Sequence, residues 1–351
     1  MSRFLRAELS TIDVYVPGEQ PRDRKYIKLN TNESPFSPAP AVIEAVAKEA
    51  DSLQLYSDPE CTDLRRTAAE QFGILPENIF CGNGSDEVLN FAFMAFCGKD
   101  KGMAFPSISY GFYPVFGELY GIDCLQIPLK EDFSIDPTDY YNLNKNIVFA
   151  NPNAPTGLLL TVEQIRGILD TNRQNVVIVD EAYIDFGGES CLPLIAEYDN
   201  LLVVQTFSKS RSLAGARLGF GFAQKAIIDD LNRIKYSTNP YNINRETLVA
   251  GEAALKSQNY YDEKCRVIME NRAFTVRELE ALGFEVLPSS ANFIFARHPK
   301  MSGTLLYPAL KEKGILVRHF SRVEIADFLR ITIGSMEEMQ ALIQAIRAIL
   351  N

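Results

Sequence analysis

Histidine is scarce and tryptophan is absent: the 351 residues hold two histidines, His298 and His319, and no tryptophan. Neither histidine has a second histidine or a cysteine at ligand spacing, which argues against a zinc or histidine-iron centre, and no metal site is expected. A Ser-His-Asp hydrolase would have to rely on one of these two residues. The six cysteines, Cys61, Cys81, Cys97, Cys124, Cys191 and Cys265, form no CxxC pair. They are expected as reduced thiols, several of them core fillers. No apolar run approaches the roughly 18 residues of a membrane span. The opening MSRFLRAELSTIDVYV carries acidic and polar residues where a signal peptide needs an unbroken apolar core. Positive charge is also in deficit, 35 Lys and Arg against 45 Asp and Glu, for a net charge of −10. That balance argues against a nucleic-acid partner. The expectation is a cytoplasmic protein that handles small molecules, with no nucleic-acid or membrane partner.

What is present is an ordinary globular composition, 46% hydrophobic and 23% charged. The length suggests about two domains at roughly 150 residues each. Pro17, Gly18 and Pro21 break any long element near the start. From about residue 40, helical spacing alternates with short β runs: IFCG, KGMAFP, CLQIPL, NIVFAN, NVVIVDEA and NLLVVQTF. Such alternation predicts a mostly parallel sheet covered by helices on both faces. Thr161 with Gln164, and Ser335 with Glu338, are capping-box patterns that open helices. Beyond about residue 240 the texture changes. A helical stretch from Arg245 to Leu282, broken near Ser257–Asn259, leads into β runs at FEVLP, NFIFAR, ILVRHF and LRITIG. The expected organisation is an N-terminal segment over 1–28 that packs with the smaller domain or a partner. A large α/β domain over 29–240 and a small α+β domain over 241–351 follow.

Two strand ends carry the chemistry. Asp180 closes VVIVD, where open α/β sheets place ligand contacts, although alone it reads more readily as a cap or turn residue. Lys209 follows LLVVQTF, 29 residues later. Such a lysine forms a Schiff base with a carbonyl cofactor, and such an aspartate pairs with that cofactor's pyridinium nitrogen. GNGSDE (82–87) offers a glycine turn before a helix, a setting for a phosphate. Asp86 and Glu87 suit the helix dipole but would repel a phosphate they pointed at. Arg217 could supply the positive charge; its other reading is a surface salt bridge.

In this order, GNGSDE, NPNAPTG (151–157), VDEAY (179–183), TFSKSRSLAGARLGF (206–220) and LRITIG (329–334) resemble the fold-type I, aspartate-aminotransferase-like pyridoxal-phosphate enzymes. The match spans about residue 28 to 334. VYVPGEQP (14–21), KLNTNESPFSP (28–38), LYSDPEC (55–61), NPYNINR (239–245) and PSSANFIFAR (288–297) resemble the histidinol-phosphate aminotransferases of histidine biosynthesis. The resemblance implies a mostly parallel seven-stranded sheet between helices, a smaller α+β domain, and pyridoxal 5′-phosphate as cofactor. It implies L-histidinol phosphate and 2-oxoglutarate as substrates, and a homodimer.

Site residues follow from the same resemblance. Lys209 would form the Schiff base, Asp180 would pair with the pyridine nitrogen, and Tyr183 would hydrogen-bond the ring's 3-oxygen. Tyr110 would stack on the ring; spacing alone reads it as a core tyrosine. Gly84, Ser85 and Asp86 by their backbone, with Thr206, Ser208 and Arg217, would hold the phosphate. Tyr56 would reach the phosphate of the partner subunit's cofactor. Arg330 would grip the substrate carboxylate, Arg318 the substrate phosphate, and Tyr15 would close over the substrate. His319 reads as structural. One departure stands out: Ala154 occupies the position where the family pattern has an asparagine on the 3-oxygen. Asn153 or Asn151 takes over that contact, or Tyr183 holds the oxygen alone. The rival readings are a threonine-phosphate decarboxylase, an aromatic aminotransferase, or a cofactor-sensing regulator. The last would need a basic extension that this chain lacks.

Overall fold

The computed structural model describes residues 2–350. In chain order the elements are β1 (Ile27–Lys28), α1 (Pro40–Glu49), α2 (Thr62–Phe72), β2 (Ile79–Gly82), α3 (Ser85–Phe96), β3 (Met103–Pro106), α4 (Phe112–Tyr120) and β4 (Cys124–Ile127). There follow β5 (Asn146–Ala150), α5 (Val162–Thr171), β6 (Val177–Asp180), β7 (Leu201–Thr206), β8 (Gly219–Phe222), α6 (Lys225–Thr238), α7 (Arg245–Lys256) and α8 (Gln258–Ala281). The last part holds β9 (Glu285–Val286), β10 (Phe293–Arg297), α9 (Gly303–Glu312), β11 (Ile315–Leu316), β12 (Arg318–His319), β13 (Phe328–Thr332) and α10 (Met336–Leu350).

The expected parallel sheet is present as seven strands in the order β2-β8-β7-β6-β5-β3-β4. Only β8 runs against its neighbours, antiparallel to both β2 and β7. The central strands are apolar on both faces because helices cover both. Val177 and Val179 of β6 point into one core with Leu64, Ile168 and Ala254 of α2, α5 and α7. Ile178 between them points into the other, with Leu89, Phe116 and Ile228 of α3, α4 and α6. Both capping boxes form as the spacing predicts. Thr161 Oγ1 accepts the Gln164 N–H at 3.2 Å while Gln164 Oε1 accepts that of Thr161 at 2.8 Å. Ser335 and Glu338 exchange the same pair of bonds at the start of α10.

The smaller sheet is antiparallel, in the order β12-β13-β10-β9, and packs on α8, α9 and α10. The helical stretch is interrupted at Ser257, between α7 and α8. Ile243, Leu255 and Tyr261 belong to the core of the large sheet, so packing changes hands within α8 rather than at residue 240. The N-terminal segment is tied to the small domain by β1, which pairs parallel with β11. It also reaches the large one, where Asp13 N–H donates to Glu118 at 2.9 Å. Among the described residues no helix is long and apolar enough to cross a membrane.

Candidate active site

The parallel strands β5, β6 and β7 end on the same side of the sheet, and a cleft opens there. It has two connected parts. The smaller, of about 260 Å³, is lined by Ser85, Asp86, Asp180, Thr206, Ser208, Lys209 and Arg217. The larger, of about 510 Å³, is lined by Tyr15, Arg318, Arg322 and Arg330. Thr31, Tyr110, Ala154, Tyr183 and Lys209 border both.

Asp180 is the last residue of β6 and 3% exposed. Its carboxylate accepts the Tyr113 hydroxyl at 3.0 Å and the Ala182 N–H at 3.2 Å. Burial nevertheless pushes it up to about 7, against the pull of those bonds. A cation arriving in the cleft would favour the charged form of this buried carboxylate. Lys209 stands at the other side of the cleft, with Nζ donating to the Thr31 carbonyl at 3.3 Å. Burial, and then the nearby Arg330 charge, bring its amine down to about 8. An amine in that range is a competent base near neutral pH.

The same small part of the cleft has a wall suited to an anion. The 82–87 turn enters α3 through Gly84, whose φ of +79° suits glycine. A Cβ there would sit 2.4 Å from Arg217 Nη2, so a larger residue would also displace the guanidinium from its place beside the turn. Arg217 donates to Ser208 Oγ at 3.4 Å and to Asp86 at 3.0 Å. The other Asp86 oxygen accepts the Tyr110 hydroxyl at 2.6 Å. Asp86 is thereby occupied, and the amides of the first turn of α3 stay available to an anion. Thr206 Oγ1 donates to Ser208 Oγ at 3.0 Å and completes the rim.

The larger part of the cleft is cationic. Arg318 on β12 and Arg330 on β13 are cross-strand partners. Arg330 donates to the Asn30 carbonyl at 3.0 Å, yet its buried Nε has no partner among the described residues. Such a donor calls for an anionic ligand. Arg318 donates to the carbonyls of Val16 and Pro17 at 2.9 and 3.1 Å, which draws the N-terminal segment over the cleft. Tyr15, on that segment, stacks on Phe112 with ring centroids 4.3 Å apart.

Two expected residues stand elsewhere. Asn153 lines neither part of the cleft. Its Oδ1 accepts from Ser109 at 2.8 Å, and its Nδ2 donates to the Ile108 carbonyl and to Thr156. Asn151 is equally committed, to both backbone groups of Leu160. Asn151 therefore braces the turn against Leu160 and Asn153 ties it to the Ile108–Ser109 segment, and Ala154 faces the cleft instead. Tyr56 is 80% exposed and stacked on Tyr241, away from the cleft of its own chain. His319 bonds the Ala326 carbonyl within the small domain. Residues that sequence reasoning missed are Tyr113, Thr31, Asn32 and Arg322. Tyr113 had one signal, its place three residues beyond Tyr110 at the start of a helix.

The aminotransferase class I and II family model matches residues 24–346. A histidinol-phosphate aminotransferase of Clostridium acetobutylicum is 48% identical over 348 residues, 99% of each chain. One of Brachyspira hyodysenteriae is 49% identical over 353 residues, the full length of both. The solved histidinol-phosphate aminotransferase of Sinorhizobium meliloti, in complex with pyridoxal-5′-phosphate, superposes with a TM-score of 0.85. It is 25% identical, and the match covers 93% of this chain and 92% of that one. The chain belongs to the aminotransferase class I and II family, in its histidinol-phosphate aminotransferase branch.

Proposed function

We propose that this chain moves an amino group from L-histidinol phosphate to 2-oxoglutarate with pyridoxal 5′-phosphate, in the cytoplasm and as a homodimer. The observation that carries this is the cross-strand pair Arg318 and Arg330, lining the same cleft as Lys209 in a chain of this branch. The smaller part of the cleft fits the cofactor. Arg217, Thr206, Ser208 and the N-terminus of α3 would hold its phosphate, Asp180 its ring nitrogen, Tyr183 its 3-oxygen and Lys209 its carbonyl carbon. Tyr110 would lie against the ring. Bound there, the cofactor supplies a carbonyl that receives the amino group and a ring that takes up electrons from the substrate Cα.

The protein's own groups do the rest. Lys209 Nζ would take the Cα proton and hand it to the cofactor's former carbonyl carbon, as its lowered proton affinity allows. Asp180 keeps a proton on the ring nitrogen, because a charged pair suits that buried carboxylate better than isolation. Arg330 and Arg318 hold anionic ends. Phosphate in one half-reaction and carboxylate in the other can occupy the same donors, since a guanidinium serves either. Tyr15 and the segment bearing it exclude water from above.

Substrate preference tests this reading. Histidinol phosphate is expected to exceed phenylalanine in kcat/KM by roughly 100-fold, since the single carboxylate of phenylalanine gives Arg318 and Arg330 fewer charge-assisted bonds than a phosphate does. Threonine phosphate is expected to release no carbon dioxide. A preference for phenylalanine, or carbon dioxide from threonine phosphate, would reassign the chain.

Arg330→Ala is expected to lower kcat/KM roughly 100-fold in each half-reaction measured by single turnover, from the loss of charge-assisted bonds. An effect on neither half would remove Arg330 from the site. The exposed Tyr56–Tyr241 pair supports the dimer, with Tyr56 reaching the cofactor phosphate of the partner. Tyr56→Phe is expected to weaken cofactor binding about fivefold, the worth of roughly one neutral hydrogen bond. Equilibrium dialysis measures this, and sedimentation is expected to give twice the chain mass. A monomer with unaltered cofactor affinity would refute it.

A further inference from the structure

We propose that Asn32 is a positioning residue: it fixes the direction in which the Tyr183 hydroxyl donates, and so makes up for the asparagine that Ala154 replaces. This rests on the reading that Tyr183 faces the cofactor's 3-oxygen.

The inference comes from the polarity of a closed set of hydrogen bonds. A backbone N–H only donates, and that of Asn32 donates to Thr332 Oγ1 at 2.9 Å. Thr332 then spends its own proton on Asn32 Oδ1, at 3.0 Å. The reverse orientation of the amide would leave the buried Thr332 hydroxyl proton without an acceptor among the described residues, so Asn32 Nδ2 faces Tyr183 and donates to that hydroxyl at 3.0 Å. The Tyr183 oxygen is thus an acceptor on its Asn32 side. Its own proton has no protein acceptor among the described residues, and the ring lines the cleft on its other side. The proton therefore points into the cleft, where the cofactor oxygen would accept it.

The surroundings keep Asn32 in place. It is buried, and its φ of +56° lies in the left-handed region that asparagine tolerates better than most residues. Its carbonyl accepts from Asn292 Nδ2 at 3.0 Å. Asn292 precedes β10 and Thr332 ends β13, two residues beyond Arg330. The direction of the Tyr183 proton is thereby set by the small-domain strand that carries the substrate arginine. A merely structural role, a staple between the N-terminal segment and β13, would leave that direction without consequence.

The test is a pH titration of the visible absorption of the cofactor-loaded enzyme, with no substrate present. A donor to the 3-oxygen lowers that oxygen's proton affinity, so losing the donor raises the titration midpoint. Tyr183→Phe is expected to raise the midpoint by about one pH unit. Asn32→Gly keeps the left-handed backbone and removes the amide. It is expected to raise the midpoint by about half a unit when Tyr183 is present, and to add nothing in the Tyr183→Phe background. An unmoved midpoint for Asn32→Gly, or an equal rise in both backgrounds, would overturn the proposal while leaving Tyr183 on the 3-oxygen. An unmoved midpoint for Tyr183→Phe would overturn both. Should Asn32→Gly fail to hold cofactor, Thr332→Val serves in its place. It removes the hydroxyl that orients the amide, and a rise of the same sign is expected; no rise overturns the proposal.

Discussion

Lys209→Ala is expected to give a folded protein that lacks the visible absorption of bound cofactor and turns over at least about 10⁴-fold more slowly. The expectation of folding rests on burial. Lys209 is an amine held away from water with one bond to a backbone carbonyl, and its removal relieves a desolvated, partly charged group. The expectation for activity rests on chemistry. No other lysine lines either part of the cleft, and neither histidine does, so no side chain there replaces the amine as base. Absorption spectra and single-turnover rates check this. A retained visible band, or a loss of only tenfold, would place the covalent anchor elsewhere.

Asp180→Asn is expected to act in opposite directions on catalysis and stability. An amide cannot hold a proton on the ring nitrogen by charge, so kcat falls by roughly 10³-fold, with a smaller change in cofactor affinity. The cofactor-free protein is expected to gain stability. Asp180 titrates near 7 in the fold and near 4 when unfolded, so the unfolded chain loses its proton first as pH rises. The ionised carboxyl then opposes folding by roughly 2–4 kcal/mol at pH 8. The gain from asparagine grows between pH 4 and 7 and is level above 7. Tyr113 can accommodate the change, since its hydroxyl turns to accept from the amide. Thermal unfolding of both proteins without cofactor, across that pH range, measures it. A less stable Asp180→Asn protein at pH 8 would contradict the raised proton affinity of this carboxyl.

The parts of the fold that local pattern controls were legible in the sequence. Continuous apolar runs such as VVIVD and LLVVQTF read as buried strands because both of their faces meet helices. Thr161–Gln164 and Ser335–Glu338 read as helix starts because each pair completes its bonds within one turn. Asp180 and Lys209 were legible as a pair because adjacent parallel strands end together. Arg318 and Arg330 needed the family resemblance, since β12 is two residues long and carries no pattern of its own. Contacts between distant segments stayed hidden. Asn32 lies 151 residues from Tyr183, in a stretch with no regular element, and nothing in NTNES marks its amide as facing the site. Asn153 gives a related case. Its neighbours in the chain suggested the family contact, whereas Ser109, distant in sequence, decides where its amide points. Helix α7 followed a change of texture at residue 240 but packs back on α1 and α2, because its apolar face fits the large sheet's core.

The cleft divides its tasks by depth. The small part, enclosed by strand ends and the start of α3, is ringed by mutually bonded side chains, Asp86, Ser208 and Arg217 among them, which suits one fixed molecule. The large part is walled by arginines and by a segment that touches both domains, which suits ligands that enter and leave. Lys209, Tyr183 and Tyr110 stand at the boundary, where a fixed and a visiting molecule would meet.

The most direct measurement takes the two half-reactions in turn. Histidinol phosphate is added to the cofactor-loaded protein and the visible band followed; 2-oxoglutarate is then added. Loss of the band, followed by its return with one glutamate formed per site and no carbon dioxide, is the expected result. A band that histidinol phosphate leaves unchanged, or that fades with release of carbon dioxide, would contradict the assignment of this cleft to amino-group transfer from histidinol phosphate.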